Sequence, residues 1–72
     1  MQKYRKGEAL SMLRCSNEIT IDEASDWTGI PKQQFVNYET GEEHPNADTW
    51  GKIYKGLRFT CSEIEFLEGI NE

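Results

Sequence analysis

Histidine, cysteine and proline are scarce in this chain, and an excess of positive charge is missing altogether. The two cysteines, Cys15 and Cys61, are too few and too far apart for a disulfide framework or a metal-binding ribbon. They are expected to be reduced thiols that serve as small core residues. The one histidine, His44, stands before Pro45 in a loop-like stretch. It has no partners for a metal site and no triad around it, so neither an enzyme nor a metal or other cofactor is expected. No apolar run approaches the length of a membrane span. The opening MQKYRKGEAL turns basic, but no apolar stretch of the secretory kind follows, and the chain reads as cytoplasmic. A formal charge of -5 excludes a strongly basic nucleic-acid-coating protein.

What is present fits a small folded protein. Seventy-two residues allow one domain, 1–72, with one small core. A charged fraction of 29% and an apolar fraction of 36% are ordinary for a folded chain. Leu10 and Leu13, with Met12 beside them, form a stripe at helical spacing, so a first helix is expected near 5–15. Gly7 weakens its start, and Asn17 is placed to end it in a left-handed conformation. TIDEASDW opens with Thr20 and carries Glu23 three residues on, a capping box for a second helix near 21–28. Ile19 and Ala24 stand where a hydrophobic staple would meet. Ala24, Trp27 and Ile30 are its apolar candidates, and Ser25 is small enough for close helix approach. Gly29 ends this helix, and Pro31 opens a third over 31–40, which stops at Gly41. Asn46 or Asp48 caps a fourth helix over 46–57, whose apolar positions are Trp50, Ile53, Tyr54 and Leu57. Thr60 or Ser62 caps a fifth over 61–68, with Ile64 and Leu67 on one face. The expected fold is all-α, five helices around Leu10, Leu13, Ala24, Ile30, Phe35, Ile53 and Leu57.

The second and third helices, joined by a Gly-Ile-Pro turn over 29–31, read as a helix-turn-helix unit at about 21–40. Taken with Leu10, Leu13 and Arg14, with ITIDEAS (19–25), WTGIPKQQFVNYETG (27–41) and HPNADTWGKIYKGLRF (44–59), the chain resembles the Cro/C1-type (XRE-like) helix-turn-helix domain. This is the domain of lambdoid phage repressors and many small bacterial regulators. Each fragment alone is weak evidence; all of them in register cover nearly the whole chain. The resemblance implies a lambda-repressor-like fold whose third helix enters the major groove. Lys32, Gln33, Val36 and Asn37 are then the base-reading residues. Their chemistry suits base recognition. Gln33 and Asn37 can bond adenine N6 and N7 together, Lys32 can reach guanine, and Val36 can touch a thymine methyl. Backbone contacts are expected from Lys3, Arg5, Lys6, Gln34, Lys52 and Lys55. Arg14 and Glu39, at matching positions, imply a structural ion pair between the first and third helices.

The pattern departs from that family in three places. Ile21 stands where a phosphate-bonding glutamine is usual, Glu42 and Glu43 where a base is usual, and Glu18 where a glycine ends the first helix. Residues 1–36 balance five bases against five acids, whereas residues 37–72 set three bases against eight acids. Two functions follow as expectations. One is a sequence-specific transcriptional regulator, a repressor of double-stranded DNA, binding as a homodimer through Phe66, Leu67 and Ile70. The other is an acidic interaction module, an anti-repressor or adaptor that binds another regulatory protein.

Overall fold

The computed structural model describes residues 5–70, and Lys3 therefore lies outside the described residues. Five helices follow one another: α1 (Lys6–Ser16), α2 (Ile21–Thr28), α3 (Lys32–Thr40), α4 (Ala47–Gly56) and α5 (Cys61–Glu68). No strand occurs among the described residues. None of these helices is long and apolar enough to cross a membrane.

Local chemistry explains most of the boundaries. The Thr20 hydroxyl accepts from the Glu23 backbone N–H at 3.1 Å, and Glu23 Oε1 accepts from the Thr20 N–H at 3.0 Å. The same reciprocal pair, Thr60 with Glu63, opens α5. Asn46 Oδ1 accepts from Thr49 N–H to start α4. Pro31 precedes the first residue of α3, where its missing N–H leaves no bond unmade. Gly29 and Gly41 close α2 and α3 at φ of 75° and 88°, the left-handed region open to a residue without Cβ. At the end of α1, Asn17 does not take that conformation (φ -91°); Glu18 does, at φ 58°. Asn17 instead bonds the Leu13 carbonyl and reaches Glu63 Oε2 at 2.8 Å, tying α1 to α5.

The helices pack α1 against α3 and α5, and α2 against α3 and α4. Phe35, Leu10, Ile53 and Leu67 are the largest fully buried side chains, joined by Ala24, Ile30, Leu57, Phe59 and Ile70. Leu13 is only partly buried at the edge of this cluster. A Cβ on Gly7 would sit 2.2 Å from the Tyr38 carbonyl oxygen, so the glycine permits α1 to lie directly on the backbone of α3. The feature that weakens α1 as an isolated helix is what lets it dock.

Three expectations about the apolar set are corrected. Cys15 and Cys61 are both exposed rather than core residues, because larger aliphatic and aromatic side chains already fill the small interior. Trp27 is half exposed at the end of α2, with Ala24 alone fully buried on that helix. Leu67 and Ile70 are taken up by the chain's own core, which leaves only Phe66 of the three C-terminal apolar residues at the surface.

Candidate nucleic-acid interface

The position of α3 is set by three independent links. Arg14 donates from Nε to Glu39 Oε2 at 2.6 Å and from Nη2 to Oε1 at 3.2 Å, a bidentate pair whose side chains are about nine-tenths buried. The third donor, Nη1, reaches the Ile19 carbonyl at 2.6 Å, so one guanidinium joins α1, the loop before α2, and α3. The bond to Glu39 raises the Arg14 pKa above its ordinary value. The second link is in the turn between α2 and α3. Ser25 Oγ donates to the Ile30 carbonyl at 2.6 Å, and Thr28 Oγ1 accepts from the Ile30 N–H at 3.2 Å. Ser25 thus holds the turn by a hydrogen bond rather than simply by being small. The third link is apolar: Phe35 and Tyr38 point from α3 into the core.

With that face buried, the opposite side of α3 is presented outward. Lys32 and Gln33 are exposed, and Gln34, Val36 and Asn37 are partly so. Gln33 and Asn37, one helical turn apart, share a face. Their amides are joined: Gln33 Nε2 donates to Asn37 Oδ1 at 3.1 Å. Asn37 Nδ2 in turn donates to Glu43 Oε2 at 2.9 Å, and Gln34 Nε2 approaches Glu43 Oε1 at 3.5 Å. Glu43 is returned over the helix by its own backbone, whose N–H donates to the Asn37 carbonyl at 3.2 Å. Lys32 lies beside α2, its Nζ 2.5 Å from Asp22 Oδ1; both side chains are largely exposed, and the hydrogen bond raises the Lys32 pKa.

The expected backbone-contact residues are spread over several surfaces. Arg5 caps the start of α1, its N–H bonded to Glu8 Oε1. Lys6 holds its ammonium over the Trp50 ring, 5.9 Å from the centroid, instead of extending in a basic arm. Lys52 and Lys55 lie on α4, in a groove with α5 that no α3 residue lines. Compared with protein-family models, with curated proteins and with solved structures, the chain matches none.

The three-dimensional arrangement sharpens the charge pattern. Between residues 21 and 43, Asp22, Glu23, Asp26, Glu39, Glu42 and Glu43 face a single base, Lys32. The other 49 residues hold seven bases and seven acids, so this segment accounts for the entire net charge of -5. Glu39 is neutralised by Arg14 and Asp22 by Lys32. Glu23, which caps α2, and Asp26, Glu42 and Glu43 remain as exposed carboxylates on the same pair of helices and the turn after them. Division of the chain into halves hides this, because the boundary at residue 36 cuts through the middle of α3.

Proposed function

We propose that this chain is a sequence-specific regulator of double-stranded DNA, a repressor with a Cro/C1-like helix-turn-helix made by α2 and α3. It places α3 in the major groove, working in the cytoplasm as a two-fold homodimer. The observation that carries the reading is the outward face of α3. Gln33 and Asn37 stand one turn apart on a helix whose other side is locked into the core and whose angle is set by the Arg14–Glu39 pair. Two amides on a rigid helix can each offer the donor and acceptor that adenine requires in the major groove. Lys32 and Val36 complete the reading set, and Gln34 is next to the backbone. The acidity of the surface sets the energetics: few phosphates are neutralised, so binding is modest and its salt dependence shallow.

A second reading is favoured by the concentration of acid between residues 21 and 43: an acidic interaction module that takes the basic surface of another regulator. The two separate in one experiment. Bound sequences are selected from a random duplex pool, and the winner competes against its scrambled version at fixed salt. Preference for the selected duplex, lost on Asn37→Ala, supports base reading. No preference for any duplex abandons the base-reading role of Lys32, Gln33, Val36 and Asn37.

A further inference from the structure

Three of the chain's eight bases gather in one place. Lys52, Lys55 and Arg58 all line an open groove of about 710 Å³ between α4 and α5, whose floor is Tyr54, Phe59 and Ile64. Lys55 and Arg58 also line a neighbouring cavity of about 450 Å³ with Trp27 and Gly56. The two therefore form one continuous surface. In a chain with thirteen acids, no carboxylate lines either half of it; the nearest, Glu68, lines an adjoining hollow that shares Gly51 and Tyr54. Among the described residues, none of the three bases enters an ion pair. Trp27, 50% exposed, lies at one end of this surface, near the C-terminus of α2. Arg58 holds φ at 56°, a conformation uncommon for a side chain of its size. That backbone places it where it borders both cavities.

We propose that this groove docks an acidic segment of a partner protein that carries a large apolar anchor. The anchor covers Tyr54, Ile64 and Trp27, and its flanking carboxylates meet Lys52, Lys55 and Arg58. Charge complementarity selects the occupant, since on an acidic molecule three bases and no acid border this open surface, which also has an apolar floor; Glu68 stands beyond Tyr54 at its far edge. A duplex backbone would satisfy the bases but leave that floor uncovered. A single strand would need successive stacking platforms. Here Phe59 is 93% covered and Tyr54 already stacks on Trp50 at 5.7 Å, which leaves Trp27 and no more than one face of Tyr54, on opposite sides of the bases, too few for successive stacked bases. The groove contains no α3 residue, so the proposal stands whether or not α3 reads DNA.

The test is a set of nitrogen–proton spectra of the full chain, titrated with three probes. These are a synthetic amphipathic peptide of Glu, Asp, Leu and Phe, the same peptide with Lys for each acid, and an oligothymidine. The acidic peptide is expected to shift the amides of residues 51–59 and the Trp27 indole N–H, leaving those of α3 in place. Lys55→Glu with Arg58→Glu should weaken it roughly tenfold or more, because the rim then repels. Both positions are exposed, and Glu18 already adopts the φ that Arg58 needs, so the variant keeps its fold; circular dichroism checks this. Trp27→Ala should also weaken the acidic peptide. Equal shifts from the basic peptide overturn the charge argument. Shifts from oligothymidine without shifts from the acidic peptide make the groove a nucleic-acid site and overturn the proposal. No shifts from any probe end it.

Discussion

Removing Arg14 tests how α3 is held. In Arg14→Met, three short hydrogen bonds disappear: two to Glu39 and one to the Ile19 carbonyl. Hydrogen bonds to charged groups contribute about 1.5–3 kcal/mol each at most. The larger effect is on what remains, since Glu39 keeps its charge with only 10% of its side chain exposed. Stranding a buried charge costs about 3–5 kcal/mol, and the residual exposure here points to the lower end, about 3 kcal/mol. A chain of this length is stable by roughly 4–10 kcal/mol in total, so the loss is a large fraction. It should lower the melting temperature by something on the order of 12–24 °C. Glu39→Gln in the same background removes the stranded charge, and the double variant should recover about 1–2 kcal/mol relative to Arg14→Met alone. Urea unfolding of wild type, both singles and the double completes the cycle. Additive losses would mean that the two residues do not interact and that α3 takes its angle from the Ser25–Ile30 turn and from Phe35 and Tyr38.

Gly7→Ala improves helix propensity by about 1 kcal/mol, yet its new methyl meets the Tyr38 carbonyl oxygen at 2.2 Å, and overpacking of about 1–3 kcal/mol should win. Thermal melting reads the sign, and a stabilised variant would show that α1 and α3 can separate freely. Hydrogen bonds from the Thr60 backbone and from Asn17 hold the Glu63 pKa below its ordinary value. Its contribution is therefore present above the unfolded pKa, about 4.3, and is lost as pH falls through the lower folded value. Wild type should lose more stability than Glu63→Gln between about pH 5 and pH 3, measured by urea midpoints; parallel curves would show that the Glu63 carboxylate contributes nothing. On the selected duplex, Gln33→Ala or Asn37→Ala should each cost about 1–3 kcal/mol and relax the choice of base, read by competition against single-base variants.

Helix boundaries were legible because their signals are local. Thr20 with Glu23, Asn46, Gly29 and Gly41 each act within four residues of the end they define, and each stands where the spacing places it. Phe35 on α3 and Trp50 and Ile53 on α4 were legible from periodicity, whereas Tyr54, at a similar spacing, is only partly buried. What was hidden depends on a second element. Gly7 reads as a defect until α3 is laid across it. Leu67 and Ile70 read as surplus until the fifth helix folds back on α1. Cysteine ranks among the buried residue types in general, but here the interior is full before Cys15 and Cys61 are reached. Among the candidate site residues, the types on α3 were readable, and the ion pair was implied by family resemblance. The return of Glu43 onto Asn37 was not readable, because it crosses a helix end over six residues, a spacing no helical repeat reports.

That return bears on what the reading face can do. Asn37 offers one amide donor pair and one carbonyl acceptor, and adenine recognition uses both. In the free chain Nδ2 is given to Glu43 and Oδ1 receives Gln33. Each group keeps capacity for one more bond, an N–H on Nδ2 and a lone pair on Oδ1, so under base reading adenine would either add to these two contacts or displace them. The Glu43 backbone N–H to the Asn37 carbonyl keeps its Cα beside α3, so under base reading its carboxylate would oppose phosphates that come within about one Debye length (8–10 Å) of it. A basic protein partner makes the opposite demand: its Lys or Arg side chains would pair with Asp26, Glu42 and Glu43 as they stand. Glu43→Gln divides these cases, since a glutamine carbonyl can still accept from Asn37 but the charge is gone. Under base reading, affinity for every duplex should rise while the selected sequence stays the same, because Gln33 and Asn37 still choose the base. Under the interaction reading, duplex affinity stays at its floor and the complex with a basic partner weakens. Fluorescence anisotropy with the selected duplex, its scrambled version and a polylysine peptide reads all three. A variant that binds duplex DNA no better than wild type would show that Glu43 does not oppose DNA, and that its contact with Asn37 only ends the helix.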